Sequence, residues 1–405
     1  MSEISKESWA KGFWPDPVIE WAATSMVDGN APEVWIQGLA ETILAGGIPI
    51  SRMRIMFRIL HPQLTALGFR WERGDTEIEV HRVLHGLEGR DIYRNSPVRV
   101  LDSGEESEIR RDLTRPVEDL DFPVLHELKE EGMTDYLALT IFTSVSRNGV
   151  VTFATDQDGG FTEHEVERLR QVVRAASRAV EILVRHETAL SLLRAYLGHE
   201  TGGRVLRGAV ERGDGQSQDA VIWFSDLRGS TRLSEELPAP DYLSLLNNYF
   251  DCLAEPVMAR EGEVLRFIGD AVLAIFPVPA NDDAGWQRAC ENALAAAREA
   301  EQRVDELNRA RTEEGRDPIG YGIGLHLGRV HYGNIGTAER VEFTVVGRAA
   351  NEAAKIEAMC KPLKQRLVVS EELTKYHQGP WVQLGRHAIP GTKADMELFT
   401  MGAAS

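Results

Sequence analysis

Cysteine is scarce in this chain of 405 residues, which contains only Cys252, Cys290 and Cys360. Their spacing matches neither a disulfide framework nor a metal-ligand pattern such as two cysteines separated by two residues. We therefore expect three free thiols that are buried in the fold, and neither disulfides nor a zinc site.

Long apolar runs are also absent. No stretch approaches the roughly 18 consecutive apolar residues that a membrane-spanning helix needs, and the opening sequence MSEISKESWAKGFW lacks the apolar core of a secretion signal. We therefore expect a cytoplasmic protein with no membrane partner.

Positive charge is in the minority, with 45 Lys and Arg against 63 Asp and Glu and a formal net charge of −18. Binding to a nucleic-acid backbone is driven by clustered Lys and Arg, so we expect no nucleic-acid partner. The excess of acidic residues does not exclude a nucleotide that is held through metal ions.

The length allows two or three domains, and 43% hydrophobic residues are typical of a globular protein.

The first 161 residues predict an α+β domain. The runs at 52–60, 136–142 and 149–156 predict an antiparallel sheet, and residues 31–45 predict a helix. The strand, the sequence DGGFTEHEVERLRQV and the long helix after it resemble the end of a GAF-like domain. This resemblance implies a regulatory or sensor domain at residues 1–161. No lone histidine there marks a ligand, so its small-molecule or protein signal stays open.

A long helix is predicted from Thr162, which forms a capping box with Glu165, to about Leu197. Apolar residues at three-four spacing from Val166 to Leu183 fit either a short parallel coiled coil or a helix packed on its own domain. The Gly-rich sequences GHETGG and ERGDGQSQD that follow favour a connector. We therefore predict a helical connector at 162–200 and a flexible linker at 201–218.

Two aspartates of the second half lie in apolar surroundings. In VLRFIGDAVLAIF, at 264–276, a Gly-Asp pair between two β-rich segments predicts a tight hairpin with Asp270 at its turn. In DAVIWFSDLRGST, at 219–231, an apolar strand ends at Asp226 and a loop of small residues follows, whose N–H groups can bind phosphate oxygens. Either aspartate alone would more often be a surface or cap residue. If the strand pairs with the hairpin, the two carboxylates can together hold two divalent cations.

Four segments in order, FSDLRGST, RFIGDAV, GIGLHLGRVHYGNIG and RVEFTVVGRAANEAAKIE, resemble the motif set of the class III nucleotide cyclases. The resemblance implies a ferredoxin-like catalytic domain at 219–405, so the whole chain is expected to be α+β, with the two domains joined by the long helix. It also implies a homodimer with shared active sites, two Mg²⁺ or Mn²⁺ ions per site, and conversion of ATP to cyclic AMP and pyrophosphate under control of the N-terminal domain.

The resemblance also assigns roles to single residues. The metal ligands would be the two aspartates and one backbone carbonyl, the triphosphate would bind the small-residue loop, and an asparagine from the other subunit would orient the ribose. An arginine is common before the FTVVG strand. The corresponding positions here are Asp226, Asp270, Leu227, Gly229, Ser230, Thr231, Asn351 and Arg340.

Two positions depart from the family pattern. Arg266 stands where a lysine usually contacts adenine, and it is paired with Thr344, which fits the branch that uses threonine. An arginine can donate to adenine or, with two donors, to O6 and N7 of guanine, so ATP, GTP and a pyrimidine triphosphate stay open as substrates. Lys355 stands where arginine usually meets the charge that develops at phosphorus. Lysine keeps the positive charge but lacks the planar guanidinium group with its paired N–H donors. We therefore expect weaker stabilisation of the transition state.

A non-enzymatic alternative is a cyclase-like module that binds a nucleotide and signals only through its conformation. The presence of Asp226, Asp270 and Asn351 argues against this alternative. His326 and His331 are candidates for a catalytic base, but alternation along a strand favours structural roles for both.

Overall fold

A computed structural model describes residues 16–28, 31–86, 89–144, 149–211, 213, 215–279, 282–337, 339–389 and 395–402. The chain divides into two compact units, Met1–Ala195 and Tyr196–Ser405. Each unit contains helices packed on a mainly antiparallel sheet, which confirms the predicted α+β class. Within the described ranges, no helix combines the length and the apolar character that crossing a bilayer requires.

The N-terminal unit is built on a six-stranded sheet in which every pairing is antiparallel. The predicted strands at 52–60, 136–142 and 149–156 are confirmed as the first, fifth and sixth strands, while the GAF-like resemblance stays a prediction. The spatial order is β3-β2-β1-β6-β5-β4, where the strands are β1 (Arg52–Arg58), β2 (Leu64–Glu72), β3 (Glu79–Leu84), β4 (Glu108–Asp112), β5 (Asp135–Ile141) and β6 (Gly149–Thr155).

Helices cover both faces of this sheet. Alternation along β1 buries Met53, Ile55 and Phe57 on one face, where they share a core with the second and sixth helices. A second core lies among the fourth and fifth helices and strands β4, β5 and β6. The predicted helix at 31–45 is confirmed. The helices are α1 (Pro17–Thr24), α2 (Pro32–Ala45), α3 (Asp91–Arg94), α4 (Pro97–Ser103), α5 (Pro123–Glu130) and α6 (Glu163–Leu197).

Helix α6 begins with the predicted capping box: Glu165 accepts from the Thr162 N–H at 2.7 Å, and Thr162 accepts from the Glu165 N–H at 3.3 Å. Its apolar stripe from Val166 to Val184 is buried in the core of the N-terminal unit. For this part of the helix, packing on its own domain is therefore correct. A coiled coil cannot use the same side chains, because they already cover the sheet.

The flexible linker predicted at 201–218 is wrong for much of its length. Helix α7 (His199–Leu206) occupies its start, and a strand begins at Gly215. Thr201 is buried, and its Oγ1 donates to Glu263 Oε1 at 3.0 Å and lies 2.6 Å from Tyr332 Oη. These contacts with residues far along the chain stabilise the helix despite its glycines, whose helix propensity is low.

The C-terminal unit has an eight-stranded sheet. Its central part follows the order strand, helix, two strands, helix, strand, and the four strands are arranged as β10-β7-β9-β8, which is the predicted ferredoxin-like pattern. The elements are β7 (Gly215–Arg228), α8 (Ser230–Glu236), α9 (Ala239–Met258), β8 (Glu263–Ile268), β9 (Ala271–Val278), α10 (Asp283–Glu313), β10 (Gly320–Gly336), β11 (Val341–Val346), α11 (Arg348–Met359), β12 (Leu367–Ser370), α12 (Glu371–Thr374), β13 (Trp381–His387) and β14 (Met396–Met401).

Helices α9 and α10 pack on one face of this sheet and α11 packs on the other. Alternate residues of β7 supply both cores: Val221 and Trp223 face α9 and α10, whereas Ala220 and Ile222 face α11. The middle of β7, residues 220–223, is therefore buried between these helices, and it supports the residues at the C-terminal end of the strand.

Candidate active site

The hairpin of β8 and β9 places Asp270 beside Asp226. Ile268 pairs with Ala271, so only Gly269 and Asp270 form the turn, and Gly269 has φ +64°, a conformation that favours glycine. Strand β9 pairs with β7 up to Ser225 and Val272, which brings the turn next to Asp226. The predicted hairpin and its pairing with the Asp226 strand are both confirmed.

Asp226 lies inside a strand, whereas the sequence predicted it at the strand's end. Strand β7 continues to Arg228, because β10 supplies hydrogen-bonding partners at Gly320, Tyr321 and Gly322. Asp226 is paired with Gly322 and is half-buried. The backbone that carries the carboxylate is thus held by pairing with β10.

The two carboxylates interact directly. Burial and the Asp270 carboxylate together raise the pKa of Asp226 to about 6. Oxygen Oδ2 of Asp270 is buried and has no hydrogen-bond partner among the described residues. A buried carboxylate oxygen without a partner is costly. A bound cation would satisfy this oxygen and remove the repulsion between the two acids, so the pair fits a metal site.

The protein supplies few metal ligands here. No group of three or more His, Cys, Asp and Glu side chains is placed to hold an ion in the parts of the chain that the structure describes. Mg²⁺ is commonly held by one or two carboxylates together with water and substrate phosphate oxygens. Asp226 and Asp270 match that pattern, and the predicted Leu227 carbonyl would be a further ligand.

Glu357 of α11 is a third acid near the pair and was not among the residues predicted from the sequence. Burial, followed by the charge of Asp226, raises the pKa of Glu357 to about 7, while Arg228 lowers it. A side chain at residue 322 or 324 would clash with Glu357, so Gly322 and Gly324 let α11 lie close to β10. The alternate glycines of GYGIGLHLG were the sequence signal for this close approach.

The small-residue segment after Asp226 forms the start of a helix, where the sequence predicted a loop. Gly229 is left-handed at φ 73° and caps α8, and Ser230 and Thr231 lie in its first turn. Leu233 is buried and anchors the helix. First-turn N–H groups have no partner within the helix. Gly229, Ser230 and Thr231 are thus suited to binding phosphate oxygens.

Arg266 lies next to the strand that carries Thr344. Its Nε is 2.9 Å from Oε1 of Glu342 on β11. Residues 342 and 344 are two apart in one strand and so face the same side. Glu342 was not predictable from local sequence, because its partner is distant along the chain.

Asn351 and Lys355 lie four residues apart on α11, which places them on one face. Asn351 is exposed and Lys355 is half-buried. Across the described residues, no hydrogen bond or ion pair joins either of them to Asp226 or Asp270. Arg340 is exposed between β10 and β11, and its backbone N–H donates to Thr337 Oγ1 at 3.0 Å. The described part of the chain thus brings the two aspartates together beside the first turn of α8, and it shows no polar contact that joins Asn351 or Lys355 to them.

His326 has a structural environment. It is buried, with Nδ1 2.8 Å from Ser370 Oγ and Nε2 3.3 Å from Glu352, and burial lowers its pKa. His331 is exposed on β10.

The predicted free thiols are present, with Cys290 and Cys360 buried and Cys252 half-buried.

Comparison with known families gives a match over this unit. Residues 214–401 match the family model described as "Adenylate and Guanylate cyclase catalytic domain".

Individual relatives match the same half of the chain. An uncharacterized protein of Mycobacterium tuberculosis is 31% identical over 218 residues, which are 54% of this chain and 38% of that protein. An adenylate cyclase of Anabaena cylindrica is 29% identical over 166 residues, covering 41% of this chain and 32% of the relative. The chain therefore spans well under half the length of these curated relatives. The crystal structure of the adenylyl cyclase CyaB from P. aeruginosa has 23% identity and a TM-score of 0.41, and covers 47% of this chain and 97% of that structure.

Proposed function

Residues 214–401 belong to the class III nucleotide cyclase family, and we propose on this basis that the chain converts ATP to cyclic AMP and pyrophosphate. The observation that carries the proposal is the pair Asp226 and Asp270, with the buried, unpartnered Oδ2 of Asp270. The first turn of α8 follows Asp226 within five residues, so a triphosphate held by this turn would lie next to the carboxylates.

Asp226, Asp270 and the Leu227 carbonyl would hold two Mg²⁺ or Mn²⁺ ions. When bound, such ions neutralise phosphate charge and make a hydroxyl group more acidic. The N–H groups of Gly229, Ser230 and Thr231 would bind the triphosphate oxygens, and Arg340 is a further candidate cation for them. In the reaction, the ribose 3′-hydroxyl loses its proton to water and its oxygen forms a bond to the α-phosphorus, while the bond to the leaving pyrophosphate breaks.

Asn351 and Lys355 would act across a homodimer. Both lie on one side of α11, and Asn351 is exposed, so they are free to reach a nucleotide held by a second subunit. Asn351 would orient the ribose, and Lys355 would meet the negative charge that develops at the α-phosphate. Large exposed apolar side chains on and near β8 and β11 support an association surface. They are Phe267, Ile268, Ile335, Val341 and Val346.

Arg266 and Thr344 would contact the base. The Arg266 guanidinium is already paired with Glu342, which leaves fewer donors for a guanine and so favours adenine as the base. GTP is the second candidate substrate, because Arg266 keeps further N–H groups that can donate to O6 and N7. The N-terminal unit would regulate the reaction.

The experiment is incubation of the purified full chain with ATP, GTP, CTP or UTP in the presence of Mg²⁺ or Mn²⁺, with products identified by mass spectrometry. Cyclic AMP and pyrophosphate are expected. A larger yield of cyclic GMP would favour the second candidate. If no nucleotide gives a cyclic product with either metal, the enzyme proposal is wrong and a nucleotide-binding signalling module is the better interpretation.

A further inference from the structure

The N-terminal unit contains a cavity of about 230 Å³ on the side of its sheet that faces α3 and α4. An apolar cavity of about 150 Å³ is large enough to bind benzene, so this one can hold a somewhat larger organic molecule. Most of its wall is apolar. The apolar lining residues include Met56, Ala66, Val83, Ile92, Val98 and Val150.

Arg54 brings a positive charge to the wall of this cavity. Alternation along β1 directs Arg54, Met56 and Arg58 to the face opposite the α2 and α6 core. Nε of Arg54 is buried and has no hydrogen-bond partner, and in the described ranges its guanidinium forms no ion pair. Burial lowers the pKa of Arg54, because water that would solvate the charge is excluded. Desolvation of the Arg54 guanidinium thus costs free energy that no paired carboxylate offsets.

The neighbouring arginines are paired. Nε of Arg58 donates to Asp102 Oδ1 at 3.2 Å, and Nη1 donates to Thr65 Oγ1 at 3.2 Å. Tyr93 also donates to Asp102, at 2.7 Å. Arg70, which is opposite Arg54 on β2, forms ion pairs with Glu72 and Glu79. Of these three arginines, Arg54 is the one whose charge lacks a carboxylate.

We propose that this cavity binds a small organic monocarboxylate, with its apolar body against Met56, Val83 and Val98 and its carboxylate on the Arg54 guanidinium. A planar guanidinium matches a carboxylate through two parallel hydrogen bonds. One unpaired cation balances one negative charge. The nearby Asp102 carboxylate disfavours a doubly charged phosphate by repulsion, and the apolar walls leave little to solvate a second charge. The proposed nucleotide site involves none of these residues.

The test uses benzoate, phenylacetate and 3-phenylpropionate, each compared with its uncharged amide, on the purified full chain. Binding is measured by saturation-transfer NMR and isothermal titration calorimetry. At least one of the carboxylates is expected to bind saturably, and its amide about tenfold more weakly, since a hydrogen bond between two charged groups is stronger than one to a neutral amide.

Two variants and one control locate the site. Arg54→Gln removes the charge and Val83→Phe fills the cavity from the edge strand β3, and each is expected to weaken carboxylate binding at least tenfold. Arg70→Gln removes a neighbouring but paired charge outside the cavity wall and should bind like the wild type. Circular dichroism checks that each variant is folded.

The proposal is wrong if none of the three carboxylates binds the wild type, if the amides bind equally well, or if folded Arg54→Gln binds as tightly as the wild type. The comparison of acid with amide needs only the wild-type protein, so it tests the required charge preference even if a variant fails to fold.

Discussion

Arg266 of β8 and Glu342 of β11 form an ion pair with 2.9 Å between Nε and Oε1. Both side chains are nearly half exposed, at 45% and 47%, so the pair contributes little to stability. The pair lies on the face of β11 that carries Thr344, so its importance concerns the proposed contact with the base and not stability. Glu342 occupies part of the hydrogen-bonding capacity of the guanidinium that the proposed base contact would use.

Glu342→Gln should therefore change base preference. Without the carboxylate, more donors of Arg266 are free for O6 and N7 of guanine, so the ratio of kcat/KM for GTP to that for ATP should rise by about tenfold or more. Steady-state kinetics with both nucleotides give this ratio. Glu339→Gln, an exposed change in the same hairpin, is the matched control. An unchanged ratio in Glu342→Gln would mean that the ion pair does not face the base.

Lys355→Ala should reduce kcat on the order of 100-fold with little change in KM, because the charge that Lys355 would meet develops mainly in the transition state. Lys355→Arg should retain or exceed the wild-type rate, since arginine adds a planar fork to the same charge. Lys361→Ala, an exposed change just beyond α11, is the control. An equal loss in kcat and in substrate affinity would instead indicate a ground-state contact.

Mixing two inactive variants tests the shared site. Asp226→Ala lacks a metal ligand and Asn351→Ala lacks the ribose contact, but one of the two sites of a mixed dimer would keep both residues. Partial recovery of activity is expected when the two proteins are combined. If mass spectrometry detects the mixed dimers and activity does not recover, both residues act within a single subunit.

The raised pKa of Asp226 predicts a stability effect with a definite sign. Because the folded pKa is about 6 and the ordinary value is 3.8, the folded state holds this proton more tightly, and the resulting stability is lost as pH rises through 6. In EDTA, Asp226→Asn should therefore melt at a higher temperature than the wild type at about pH 8, and the difference should shrink at about pH 4.

Added Mg²⁺ should reverse the order at about pH 8, because it binds and stabilises only the wild type. Thermal melts with and without Mg²⁺ measure both effects, and Asp317→Asn, an exposed loop carboxylate, is the control. A variant that is less stable than the metal-free wild type at about pH 8 would contradict the proximity of the two acids.

Local patterns accounted for much of this fold and site. The hairpin that presents Asp270 was predictable because a Gly-Asp pair between two β-rich segments specifies a two-residue turn. The capping box of α6 and the strands at 52–60, 136–142 and 149–156 were predictable for the same reason: each depends on neighbours within a few residues.

Contacts between distant residues were not predictable in this way. Glu342 gains its importance from Arg266, and Glu357 from Asp226, across long stretches of chain. Thr201 is held in helix α7 by Glu263 and Tyr332, so Gly-rich composition gave the wrong expectation of a flexible linker. The unpaired state of Arg54 likewise depends on which arginines find partners after folding.

The most direct test of the central claim is the yield of cyclic AMP from ATP and Mn²⁺ by the wild type and by Asp270→Ala, with Asp317→Ala as a control for loss of an exposed carboxylate. Asp270 lies at a turn, so its removal should leave the circular dichroism spectrum close to that of the wild type, and without metal the variant should be at least as stable at about pH 8, because the repulsion with Asp226 is gone. We predict that the wild type and Asp317→Ala form cyclic AMP and that folded Asp270→Ala forms none. Cyclic AMP production by Asp270→Ala at the wild-type rate would contradict the two-carboxylate metal site.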